Sequence, residues 1–152
     1  MEDKYKYLIN FFILLLIIYL ILKHFELEMA KLLAIIVGNM LNTHYFENNI
    51  VYNGAMFSVI PACTCSFEIA LFLSYVFAAP KTPIKYKFIY SVFGLFVINV
   101  TNILRIIFII KNSYLSDYIF IHNLISFIIF PVALILNLIW VKILIKLGVV
   151  EN

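Results

Sequence analysis

The chain has 152 residues, of which 65% are hydrophobic and 12% charged, with a formal net charge of +3. Soluble domains carry about 25% charged residues, so this composition excludes one, and so short a chain leaves no room for a soluble catalytic domain beside the apolar spans. The few basic residues form no stripe, which excludes nucleic acid as a partner and leaves the lipid bilayer as the surroundings.

In chain order, Tyr7 to Leu22 is a near-continuous apolar run after Lys4 and Lys6. The stretch Leu22-Lys23-His24-Phe25-Glu26 offers no small-residue cleavage site, so the run reads as a retained anchor. Met29 to Leu41 is thirteen residues, about 20 Å of helix against a hydrocarbon core of about 30 Å. It is either a span extended by polar flanks or a re-entrant helix. Positions 42–58 form the polar stretch, predicted as a loop with a short strand at Ile50-Val51-Tyr52. Pro61 suits the first position of a helix, which is predicted to run through Cys63, Glu68 and Phe72 to Ala79. Pro80 to Lys87 breaks it and carries three lysines. Phe88 to Ile110 is a full span, 111–117 is a polar turn in which Ser116 or Asp117 caps the next helix, and Tyr118 to about Val141 spans again, adjusted near Pro131. The expected fold is all-α: one integral-membrane domain over residues 1–152, a transmembrane bundle of about five spans, or four if 29–41 is re-entrant.

Lysine placement sets the orientation. With five spans and the tail inside, Lys23, Lys31, Lys81, Lys85, Lys87, Lys142 and Lys146 face the cytoplasm, and Lys4, Lys6 and Lys111 lie outside. If 29–41 does not cross, Lys4 and Lys6 exchange sides with Lys23 and Lys31. Both arrangements put 42–58 and 111–117 outside and the C-terminus in the cytoplasm.

The single arginine, Arg105, lies inside the apolar run Ile98 to Ile110. A charge at the middle of a membrane helix costs roughly 2.5–3.5 kcal/mol on insertion scales, so an intramembrane guanidinium is a candidate functional group. Its structural rival is an arginine that snorkels to the headgroups. Arg105 is six residues before Lys111, about 9 Å below the outer end of its helix, and His122 is five past Asp117, about 7–8 Å down. Cys63 sits just inside the helix starting at Pro61, at the same level. A thiol whose pKa is lowered by a cation, an imidazole able to carry a proton, and a guanidinium able to hold an oxyanion are the parts of a covalent acyl-transfer site.

Each part also has a plainer reading. Cys63 fits as a small core residue, His122 as an interfacial residue, and Asn99 and Asn102 as interhelical hydrogen-bonding groups. Glu68 fits as the charge partner of Arg105. A metal-handling protein would use Cys63, Cys65, His122 and Glu68, but residues two apart on a helix point about 200° apart, so both cysteines reach one metal only if the helix is broken there. A non-catalytic membrane subunit would keep Arg105 and Glu68 as its polar centre. A disulfide within Cys63-Thr64-Cys65 would be strained.

Pro61-Ala62-Cys63-Thr64, then Asn102-Ile103-Leu104-Arg105-Ile106, then His122 near a helix start resemble the exosortase/archaeosortase family of integral-membrane cysteine transpeptidases. The resemblance covers about residues 58–130, the expected catalytic core. It implies a thiol protease needing no cofactor or metal that recognises a C-terminal sorting signal on exported proteins: a short motif, a transmembrane helix and a basic tail. The enzyme cuts before that helix and transfers the new carboxyl end to a lipid or glycan acceptor at the plasma-membrane surface. By the resemblance Cys63 is nucleophile, His122 proton carrier and Arg105 oxyanion stabiliser, with Asn102 and Glu68 in support. The chain departs from the family pattern in two ways: Cys65 stands where a glycine is usual, and the spans are fewer.

Overall fold

The computed structural model describes residues 2–114, 123 and 127–149. Its helices are α1 (Glu2–His24), α2 (Glu26–Met40), α3 (Ser66–Ala78), α4 (Ile84–Lys111) and α5 (Ile129–Lys146). A 3-10 turn at Pro61–Thr64 precedes α3. Between α2 and that turn lie β1 (Tyr45–Phe46), β2 (Asn49–Tyr52) and β3 (Ala55–Ser58), an antiparallel sheet in the order β1-β2-β3. Helices dominate because lipid offers no hydrogen-bond partners, so an apolar run must satisfy its backbone within itself.

Among the described residues four helical segments are long and apolar enough to cross a membrane: Lys4–His24, Pro61–Ala78, Ile84–Lys111 and Ile129–Lys146. The protein is a polytopic membrane protein with an all-α bundle. The count agrees with the expected bundle in its four-span form, the one in which 29–41 does not cross. Helix α2, which holds most of 29–41, has 15 residues, about 22 Å. Its buried face (Ala30, Leu33, Ala34, Val37) packs with Ile50 and Val59 of the sheet region and with Ile106 and Ile110 near the end of α4. Every one of those neighbours lies at the same end of the bundle, so α2 stays there. Gly38 permits a close contact, since a Cβ on it would lie 2.5 Å from the Tyr45 ring.

The chain direction of each span follows from its contacts. Tyr7 on α1 donates to the Tyr75 carbonyl (3.2 Å), and the Tyr19 ring meets Phe67, so α1 and α3 are antiparallel. The start of α1, the end of α3 and the start of α4 share one cavity, lined by Lys6, Ala79, Lys81 and Lys87. On α4, Tyr90 stacks on Trp140 of α5 with centroids 4.9 Å apart and donates to the Leu136 carbonyl at 2.5 Å. That contact sets the end of α5 beside the start of α4. Lys4, Lys6, Lys81, Lys85, Lys87, Lys142 and Lys146 therefore belong to one end of the bundle, and Lys23, Lys31 and Lys111 to the other.

The last helix also corrects a boundary. It runs to Lys146 rather than ending near Val141, and Pro131 falls in its first turn, where the missing N–H breaks no helical bond. The expected first part of that span, 118–126, lies outside the described residues except for position 123.

Helices α3 and α4 meet at Phe72, which is fully buried. Its ring lies where a Cβ on Gly94 would go. Close approach at a small residue is what draws helices together in lipid, where burial itself supplies no drive. Gly94→Ala is therefore expected to destabilise the bundle by about 1–3 kcal/mol through overpacking, read as a lower unfolding temperature in detergent. Adding Phe72→Leu should recover part of the loss. An alanine variant as stable as the parent would show that the two helices do not pack this way.

Candidate functional site

The polar stretch after α2 is two linked hairpins. Tyr52 pairs with Ala55 across Asn53-Gly54, and Phe46 pairs with Asn49 across Glu47-Asn48. Asn53 and Gly54 both have positive φ, 49° and 80°, which suits the two-residue turn whose twist matches the strands. The Asn-Gly pair between two apolar stretches is the legible signal for this hairpin, and the sheet adds two strands to the expected one at Ile50-Val51-Tyr52. The Asn48 amide donates to the Val59 carbonyl (3.0 Å) and Ser58 to Asn49 Oδ1 (2.6 Å), which fixes the end of β3.

From β3 the chain passes through buried Val59 and extended Ile60 straight into Pro61–Thr64. The expectation of one helix from Pro61 is corrected here. Cys63 lies in the 3-10 turn, its N–H bonded to the Ile60 carbonyl at 2.8 Å. Thr64 Oγ1 donates to the Pro61 carbonyl (2.7 Å), and the Thr64 and Ser66 hydroxyls lie 2.7 Å apart. Cys65 then adopts φ 57° and ψ 31°, left-handed, before α3 begins. Glycine would enter this region without steric cost, which is roughly 1–2 kcal/mol for other residues, and here a cysteine accepts it. The two cysteines on either side of the break pack into different clusters. Cys63 is half-buried and packs with the cluster around Ile106, whereas Cys65 is buried with Phe72 and Trp140.

Helix α4 supplies the other half of the site. Asn102 and Arg105 are three residues apart, hence on one helical face. Asn102 is buried, and its Nδ2 donates to the Cys63 carbonyl at 2.7 Å. Asn99, by contrast, donates to the Leu95 carbonyl of its own helix (2.8 Å). Of the two asparagines, Asn102 joins separate elements and Asn99 does not. Arg105 is only 9% exposed, so its side chain is enclosed by protein and does not reach out along the bundle surface in the snorkelling manner. It lines a cavity of about 410 Å³ together with Met56, Phe57, Ser58, Cys63 and Glu68. Arg105 also lines an apolar groove of about 240 Å³ with Thr101, Leu104, Phe108 and Ile128.

Three of the residues singled out in the sequence, Cys63, Glu68 and Arg105, thus share one cavity, and Asn102 anchors the backbone of Cys63 beside it. His122 lies outside the described residues. The strand residues on the cavity wall, Met56 to Ser58, were not foreseen. Among the described residues no group of three His, Cys, Asp or Glu side chains is placed to hold a metal ion. The helix is indeed broken between the cysteines, but in a way that sends them into different clusters.

Fold and cavity together define a polytopic helical membrane protein that brings a thiol, a carboxylate and a guanidinium to one recess near an end of its bundle. Over 138 residues the chain is 46% identical to the probable archaeosortase D of Methanocaldococcus jannaschii, a match covering 91% of this chain and 90% of that one. The chain belongs to the archaeosortase family. No family model and no solved structure matches it.

Proposed function

We propose that the protein is a membrane-embedded thiol transpeptidase that cuts the C-terminal sorting signal of exported proteins through an acyl-enzyme on Cys63. The observation that carries this reading is the cavity shared by Cys63 and Arg105, with Asn102 holding the Cys63 carbonyl. Membership of the archaeosortase family supports the class of reaction.

In the proposed reaction the Cys63 proton passes to His122 and the thiolate attacks the scissile carbonyl carbon. The C–S bond forms, and the negative charge on the carbonyl oxygen is held by the Arg105 guanidinium, strengthened by the water-poor surroundings. Collapse breaks the C–N bond. The transmembrane helix of the signal leaves as an amine that takes its proton from His122. A hydroxyl or amine of a lipid or glycan acceptor then attacks the thioester, and Cys63 regains its proton. Glu68 lines the same cavity, and in this proposal its carboxylate offsets the charge of Arg105 between turnovers.

The experiment is co-expression with a candidate exported protein that ends in a motif, a transmembrane helix and a basic tail, read by intact mass. Loss of the signal, with the added mass of an acceptor, is the expected outcome. An unchanged mass beside the wild-type enzyme would overturn the reading.

The proposal requires the cavity to face the exterior. Seven lysines gather at the opposite end of the bundle and three at the cavity end, and the positive-inside tendency puts the lysine-rich end in the cytoplasm. In a chain lacking Cys63 and Cys65, Tyr114→Cys (80% exposed in the parent) should react with an impermeant thiol reagent on intact cells. Lys85→Cys should react only after permeabilisation. The reverse pattern would place the cavity in the cytoplasm, away from exported substrates.

A further inference from the structure

The outer edge of β3 ends at the turn that carries Cys63, and its backbone polarity is ordered. Val51, opposite Met56, donates its N–H to the His44 carbonyl at 2.8 Å, and Val59 donates to the Asn48 carbonyl at 2.8 Å. In an antiparallel ladder successive residues direct their N–H and C=O to alternate sides. Ala55, Phe57 and Val59 thus turn theirs toward β2, and Met56 and Ser58 turn theirs away from it. Among the described residues no strand pairs with that outer side, since the sheet ends at β3. Met56, Phe57 and Ser58 line the same cavity as Cys63 and Arg105, and Ser58 is five residues before Cys63 with no intervening excursion.

We infer that the edge of β3 is the substrate-backbone site: the extended segment of an exported protein just before its transmembrane helix adds to β3 as a fourth strand, hydrogen-bonded to Met56 and Ser58. This rests on the proposed cleavage at Cys63. An extended peptide is what an edge strand recognises, because main-chain hydrogen bonds supply affinity while alternate side chains meet pockets. Pairing at the usual spacing of about 4.8 Å would lay the peptide along the cavity and lead its chain toward the Cys63 thiol. The arrangement also divides the labour of recognition. The backbone is read by β3, while the side chains of the motif fall into the recess holding Glu68 and Arg105. The occupant is a peptide rather than a second copy of the chain, because the edge opens onto the recess with the reactive side chains.

The test uses full-length Cys63→Ala in detergent, which binds without cutting. The probe is the C-terminal segment (motif, transmembrane helix and basic tail) of an exported protein that the wild-type chain processes. Amide hydrogen exchange is read residue by residue with and without the probe. Exchange at Met56 and Ser58 is expected to slow by about tenfold or more on binding, while Phe57, already in the ladder, changes little. A probe that co-purifies yet leaves Met56 and Ser58 unchanged overturns the edge-strand inference and leaves cleavage at Cys63 standing. Protection of those amides without probe, rising with protein concentration, would assign the edge to a second copy and overturn it too. If no candidate is cut by the wild-type chain, the cleavage reading itself fails and the inference falls with it.

Discussion

Alanine at position 63 is expected to abolish processing, whereas glycine at position 65 should leave most of it. The two thiols are two residues apart but sit in different surroundings. Cys63 is half-buried on the wall of the cavity with Arg105, and Cys65 is buried in the apolar cluster of Phe72 and Trp140. Under the proposed mechanism no acyl-enzyme forms without a thiol at 63, so the residual rate should fall to background while the signal still binds. Cys65→Gly removes a steric cost of roughly 1–2 kcal/mol, because Cys65 stands at φ 57°. It also deletes a small buried side chain, which works in the opposite direction. Protein yield and unfolding temperature should therefore change little. Intact mass of a co-expressed substrate and the unfolding curve of each variant check both halves. Equal loss from Cys63→Ala and Cys65→Gly would mean that the turn, rather than the Cys63 thiol, matters, and would remove the nucleophile from the proposal.

The second large effect is expected at Arg105. If the guanidinium only balances Glu68, a lysine should serve nearly as well, since it brings the same charge on a flexible stem. If it holds a tetrahedral oxyanion, geometry matters, because guanidinium presents fixed paired donors and ammonium a mobile point charge. Loss of one well-placed oxyanion donor costs on the order of 10²–10³ in turnover, about 3–4 kcal/mol. Arg105→Lys should thus insert and accumulate normally but process substrate at least about a hundredfold more slowly. Substrate should still co-purify, since its transmembrane helix and backbone contacts do not involve the guanidinium. The readouts are single-turnover rates with a fixed amount of substrate and the amount of substrate bound to each variant. Turnover near that of the parent would return Arg105 to a structural role. The packing around it makes the comparison fair: its aliphatic stem lies in an enclosed site only 9% exposed, and lysine fills a similar volume there.

The sequence by itself determined the membrane class, the four spans (the last with a shifted boundary) and the residues worth testing. Hydropathy is a property of each run taken alone, and lipid forces such runs to satisfy their backbones internally. That is why α1, α3, α4 and most of α5 were legible, and why Arg105 stood out as a charge where charge is expensive. The Pro61-Ala62-Cys63-Thr64 and Asn102-x-x-Arg105 segments were also legible, enough to suggest the family to which the chain belongs. Only the tertiary structure decided that α2 stays at one end, because a thirteen-residue apolar run is equally compatible with a short span and with a helix packed on the sheet. Only the tertiary structure placed the break at Cys65, since a left-handed cysteine violates local preference and is tolerated where Thr64, Ser66 and the buried thiol hold it. The joining of Asn102 to the Cys63 carbonyl, 39 positions earlier, was beyond local reading for the same reason. Lipid tails and helix interiors are equally apolar, so composition does not tell which face of a span turns inward; close packing and a few interhelical hydrogen bonds do.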